Sequence, residues 1–167
     1  MRYDKVFLIG FMCSGKSTVG KILAQRLCWK FVDIDEEIEK REGLSIPEIF
    51  SRRGEPYFRE LELEVLKELL DEEKVVVSTG GGLGANTEAV ELMKRKGFVV
   101  WLKVSFEEFI KRCGTGEGRP LLQRGKEELR RLLESRNKVY SMAHLHLESK
   151  EPQEAAEEIM KALLSQP

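Results

Sequence analysis

Eight residues near the amino terminus, Gly10-Phe11-Met12-Cys13-Ser14-Gly15-Lys16-Ser17, carry the spacing GxxxxGK[ST]. A short apolar run, Lys5–Ile9, precedes them, and Val19, Ile22, Leu23 and Leu27 follow at helical spacing. The motif therefore sits on a strand-to-helix turn, the context that makes it a phosphate-binding loop. Backbone N–H groups of such a loop and the positive end of its helix cradle phosphate oxygens. A lysine at position 16 reaches the β- and γ-phosphates, and a hydroxyl at position 17 ligates Mg²⁺. Cys13, Ser14, Gly15, Lys16, Ser17 and Thr18 are the nucleotide-binding candidates. The loop names the donor, a nucleoside triphosphate, but not the acceptor, because motors, switches and kinases share it. Asn137-Lys138-Val139-Tyr140 begins like the guanine-reading NKxD but ends in Tyr140 where an acid is required, and it lies inside an amphipathic helical pattern.

Four further sites have the residue types an acceptor pocket needs. Asp33 and Asp35 stand two apart across the end of an apolar run, FVDI, so they cannot be identically oriented. One can serve the water shell of a metal while the other orients an acceptor hydroxyl and takes its proton. The competing reading is a pair of solvated loop acids. Arg59 and Arg136 have the planar, permanently charged fork that suits a carboxylate, although Arg59 could equally pair with Glu62 or Glu55 on the surface. Gly80, Gly81 and Gly82 end the run VVVS, and three residues without Cβ let backbone approach a ligand closely, or simply make a turn.

The elements that position these residues alternate. Strands are expected over Lys5–Ile9, Phe31–Ile34, Val75–Val77, Phe98–Leu102 and His144–Leu147. Helices are expected from Val19, from the Ser45/Glu48 capping box to Gly54, along Phe58 to Leu69, over Ala89 to Met93, from Ser105, along Leu129 to Tyr140, and over Ala155 to Leu164. Alternation predicts an α/β fold with a mostly parallel sheet covered on both faces and ligands beyond the carboxyl ends of its strands. The segment Gly114–Gly125, GTGEGRPLLQRG, breaks the pattern and reads as a mobile loop. One domain over 1–167 accommodates all of it. His144 and His146 alternate along the last strand without a third ligand nearby, so they read as structural.

In this order and spacing, GFMCSGKSTVGK, FVDID, FRELE, VVSTGGG, GRPLL and the helix bearing Arg136 resemble the shikimate kinase family nearly end to end. The resemblance implies a three-layer P-loop kinase fold with a five-stranded parallel sheet, a lid over 114–125 and a substrate-binding helical segment over 36–62. It also implies transfer of the γ-phosphate of ATP, with Mg²⁺, to the 3-hydroxyl of shikimate. Asp35 would contact the reacting hydroxyl, and Asp33 would help hold magnesium through water. Arg59 and Arg136 would bind the substrate carboxylate, with Glu62 bracing Arg59 or meeting a hydroxyl, and Gly80, Gly81 and Gly82 would lie under the ring. Arg119 of the lid would reach the transferred phosphate, and Arg112 would lie against adenine. Cys13 departs from the glycine common in the family's loop, and Lys150-Glu151-Pro152 matches the family's adenine segment only loosely. A gluconate or nucleoside monophosphate kinase of the same architecture is the near alternative, and a regulatory nucleotide switch the distant one.

Composition narrows the partners. Lys+Arg at 28 almost cancels Asp+Glu at 29, which gives no bulk pull toward nucleic acid or membrane surfaces. No apolar run approaches the roughly 20 residues of a membrane span, and MRYDKVFLIGFM lacks the parts of a secretory signal. A cytoplasmic monomer is expected. The three cysteines, Cys13, Cys28 and Cys113, are widely spaced and odd in number, and they read as reduced, mostly structural thiols.

Overall fold

The computed structural model describes residues 1–113, 125–148 and 150–167. Its strands are β1 (Lys5–Ile9), β2 (Lys30–Asp33), β3 (Val75–Ser78), β4 (Phe98–Leu102) and β5 (Leu145–Leu147). They form one sheet in the order β2-β3-β1-β4-β5, with every pairing parallel. Helices α1 (Lys16–Leu27), α2 (Ile34–Glu42), α3 (Ile46–Arg53), α4 (Glu55–Leu69), α5 (Thr87–Lys96), α6 (Phe106–Cys113), α7 (Lys126–Tyr140) and α8 (Pro152–Leu164) cover both faces. The expected three-layer α/β architecture is therefore present. The segment expected to form a lid, with Arg119, lies outside the described residues except for Gly125, which precedes α7.

Why the sheet is buried on both sides is visible in β1, whose five residues are all buried. Side chains alternate across a strand, so Phe7 and Ile9 join the core under α2–α7 while Val6 and Leu8 join the core under α1 and α8. The continuous apolar runs of β3 and β4 divide in the same way.

One boundary differs from expectation for a reason of capping, and another forms as expected. FVDI does not run to Ile34 as strand. The Asp33 side chain accepts from the Glu36 N–H (3.1 Å), which makes Asp33 the N-cap of a helix beginning at Ile34 and puts Asp35 in its first turn. The Ser45/Glu48 capping box forms in both directions, and Gly54, at φ 87°, ends α3 and admits α4 at once. His144 Nδ1 accepts from the Val99 N–H (3.0 Å) while its ring stacks on Phe98, so this histidine is structural.

Leu66, fully buried on α4, belongs to the layer that carries the acceptor-side helices. Leu66→Ala should lower unfolding stability by about 2–5 kcal/mol, measured by chemical denaturation. Leu164→Ala, at a 59% exposed position, should change it by less than about 0.5 kcal/mol.

Candidate active site

The chain leaves β1 into the phosphate loop, and one close backbone approach and one left-handed glycine shape it. A Cβ on Gly10 would stand 2.6 Å from the Leu102 carbonyl oxygen, so only glycine fits there. Gly15, at φ 92°, caps α1 in the left-handed region. Lys16 is buried, and its Nζ donates to the carbonyl oxygens of Gly10 (2.7 Å) and Phe11 (2.9 Å), which holds a positive charge at the centre of the loop. Ser17 Oγ makes a short hydrogen bond to Asp33 Oδ2 and lies 3.3 Å from Ser78 Oγ. These three side chains, from α1, β2 and β3, present only hard oxygen donors, the set that Mg²⁺ takes. Thr18 lies on the exposed rim of the loop, while Cys13, Ser14 and Gly15 line the same pocket, of about 330 Å³.

A second pocket, of about 210 Å³, adjoins it. Met12, Asp35, Gly80 and Gly81 line both. The second pocket is walled by α2, α3 and α4 and by Arg136 of α7. Here the structure brings together Asp35, Arg59, Glu62, Gly80, Gly81, Gly82 and Arg136, the whole set of acceptor candidates read from sequence.

Glu62 is a buried acid, and Asp35 a half-buried one with a covered oxygen. Burial is the main force raising Asp35 to about 6, helped by the nearby Asp33 charge and opposed by Lys16 and Arg59. Burial likewise pushes Glu62 up to about 7, against the pull of Arg59. Glu62 is 1% exposed and accepts from Arg59 Nη1 at 2.7 Å, so this pair is not the surface contact that sequence left open. Asp35 Oδ1 and Glu62 Oε2 are covered from solvent with no hydrogen-bond partner among the described residues. Leaving such a group unpaired costs about 1–3 kcal/mol, a cost that a donor on a bound ligand removes.

The triple glycine has a steric role beyond its sequence reading. None of Gly80, Gly81 and Gly82 has positive φ. Each missing Cβ leaves room for a side chain of the site. A Cβ on Gly80 would stand 2.9 Å from Asp35 Oδ1 and 3.0 Å from Glu62 Oε2, one on Gly81 would stand 3.1 Å from Arg136 Nη1, and one on Gly82 would overlap the Arg59 guanidinium.

Two residues that sequence reasoning missed complete the arrangement. Tyr140 is fully buried, and its hydroxyl donates to the Gly81 carbonyl oxygen (2.7 Å) and also meets the Arg136 guanidinium, so one phenol fixes both. Burial raises the Tyr140 hydroxyl far above its usual range and lowers Arg136. Its signal was its place four residues after Arg136, one helical turn on. Ser78, 2% exposed, was visible as the polar residue ending an apolar run. On the nucleotide side Arg112 Nη1 donates to the Cys13 carbonyl oxygen (3.1 Å), which places it at the loop's edge. The structure brings Cys13 and Cys113 into contact across a Cα–Cα distance of 6.4 Å, a meeting that sequence did not reveal, and leaves Cys28 exposed. Residues 100 apart in sequence met because α6 ends against the loop, which spacing does not reveal.

A phosphate loop after the central strand of a parallel sheet, opening on a pocket with a carboxylate and two guanidiniums, defines a P-loop small-molecule kinase. The family model described as shikimate kinase matches residues 12–166. A shikimate kinase of Aquifex aeolicus is 52% identical over 160 residues, 95% of each chain. The crystal structure of a shikimate kinase from Acinetobacter baumannii in complex with shikimate superposes with a TM-score of 0.92 at 37% identity, covering 98% of this chain and 94% of that one. The chain belongs to the shikimate kinase family. A deoxyadenosine kinase from M. mycoides, at 15% identity and TM-score 0.66, shares the fold.

Gly82→Ala tests the spatial role of the glycines. The new methyl displaces the end of a flexible arginine rather than backbone, so the thermal midpoint should stay within about 4 °C. Acceptor KM should rise about tenfold with ATP KM little changed, as expected when a ground-state contact is lost.

Proposed function

We propose that this protein transfers the γ-phosphate of ATP to the 3-hydroxyl of shikimate, giving shikimate 3-phosphate and ADP. The observation that carries the proposal is Asp35, whose covered and unpartnered oxygen stands on the wall shared by the two pockets, with Arg59 and Arg136 in the pocket away from the phosphate loop. A ring bearing a carboxylate at one end and a hydroxyl at the other spans that arrangement. The two guanidiniums grip the carboxylate with charge-assisted hydrogen bonds. Asp35 accepts a hydrogen bond from the hydroxyl and takes its proton as the oxygen bonds to phosphorus.

Lys16 exchanges its carbonyl partners for β- and γ-phosphate oxygens, and the N–H groups from Cys13 to Thr18 hold the rest of the polyphosphate. Ser17, with Asp33 acting through water, holds Mg²⁺, which when bound neutralises charge on the β- and γ-phosphates. Arg112 stacks on adenine, and Arg119, outside the described residues, meets the transferred phosphate. Among the described residues no helix is long and apolar enough to cross a membrane. The near-zero net charge gives no bulk pull toward nucleic acid.

ADP release coupled to an indicator reaction should depend on shikimate and magnesium at neutral pH. Gluconate and nucleoside monophosphates should give none, and turnover with either of them in place of shikimate refutes the acceptor assignment. Arg136→Ala should raise shikimate KM about 100-fold or more while ATP KM moves little. Equal effects on both would displace Arg136 from its assigned place.

The acid limb of kcat/KM follows from Asp35. Its raised value means that the protonated form, which cannot accept the hydroxyl proton, fills in as pH falls through about 6. The rate should therefore drop tenfold per pH unit below about 6. A profile flat down to pH 5 would show that this carboxylate is not needed as the anion.

A further inference from the structure

The thiols of Cys13 and Cys113 have no part in the chemistry proposed above, yet they stand at a junction that matters to it. Cys13 occupies the phosphate loop between Met12 and Ser14, with φ of 62°. A left-handed backbone costs a residue with a Cβ about 1–2 kcal/mol, so glycine would sit there more easily. Cys113 is the last residue of α6 and is buried. Its neighbour Arg112 donates to the Cys13 carbonyl oxygen, so α6 meets the loop at two adjacent residues, once by a hydrogen bond and once through sulfur. The Cα–Cα distance of 6.4 Å falls within the span of a disulfide, so the backbone positions are compatible with a bridge.

We propose that Cys13 and Cys113 form a redox-controlled cross-link that weakens nucleotide binding when closed and restores it when reduced. The closed bridge pins the end of α6 to the loop and keeps Arg112 on the Cys13 carbonyl oxygen, which withholds that guanidinium from a base. It also restrains the loop whose N–H groups must settle around phosphates. The oxidant is a low-molecular-weight disulfide. The Cys13 thiolate, the more accessible of the two, attacks one of its sulfurs and releases one small thiolate. The Cys113 thiolate then attacks Cys13 sulfur in the mixed disulfide and releases the second. Two protein thiols are oxidised, one small disulfide is reduced to two thiols, and the two protons are taken up by solvent or by the released thiolates. A small dithiol reverses both steps.

The cross-link acts on the nucleotide side, rests on the place proposed above for Arg112, and is independent of the acceptor. Full-length protein is equilibrated with oxidised glutathione or with dithiothreitol, the excess reagent is removed, and peptide mass spectrometry without reduction locates the bridge. ADP is then titrated by calorimetry. The Kd for ADP should be about tenfold or more higher in the oxidised protein and should return on reduction. Cys113→Ser, with Cys113→Ala as a second variant should the hydroxyl disturb folding, should give one redox-independent affinity equal to that of the reduced protein. Equal ADP affinity in both states overturns the proposal, and with a higher thermal midpoint for the oxidised protein it would mark a purely stabilising bridge. Absence of a 13–113 peptide link after oxidation overturns it as well.

Discussion

Taking a carboxylate or a guanidinium out of water costs several kcal/mol unless opposite charge stands close, and the acceptor pocket does this with two acids and two arginines. Arg59 is held to Glu62 and lies beside Asp35, while Arg136 rests on the Tyr140 hydroxyl and over the Phe11 ring. Compensation is incomplete on the acidic side, where burial raises both carboxyls toward neutrality. The two guanidiniums stay charged at any ordinary pH, and their presence in the pocket favours an anion over a neutral sugar.

Holding these groups together demands space as much as charge. Three consecutive residues without side chains follow β3, and each leaves room for one or two polar side chains of the pocket. Tyr140 then ties the middle glycine to α7 through a main-chain carbonyl. Because Met12, Asp35, Gly80 and Gly81 border both pockets, the donor and acceptor lie against the same atoms. A shift that admits one is felt by the other, and by linkage the effect is reciprocal.

How much of this could be read from residues alone depended on how local the cause was. The phosphate loop, the capping box at Ser45 and the apolar strands are patterns over a few neighbouring positions, and they appear where spacing put them. Asp33 and Asp35 were recognised as a pair, but the strand was drawn one residue too long, because the apolar Ile34 continues FV while the capping bond that starts α2 there comes from Asp33. The glycines were found for a reason that proved incomplete: the groups approaching Gly80, Gly81 and Gly82 in the fold include the protein's own charged side chains. Tyr140 and the Cys13–Cys113 contact escaped because each depends on where one element ends against another far along the chain.

Strands β2 and β3 are neighbours in the sheet, yet the chain between them spends α2, α3 and α4 on a crossover for which about a dozen residues suffice. Asp35, Glu39, Ile46, Phe50, Arg59 and Glu62, much of the wall around the acceptor, all come from that excursion. The catalytic apparatus for the triphosphate comes mainly from what precedes it. Much of the acceptor wall is thus encoded in one contiguous stretch, with Arg136 and the three glycines added from beyond it, so exchange of that stretch would remodel the acceptor side while leaving the phosphate loop's own residues in place.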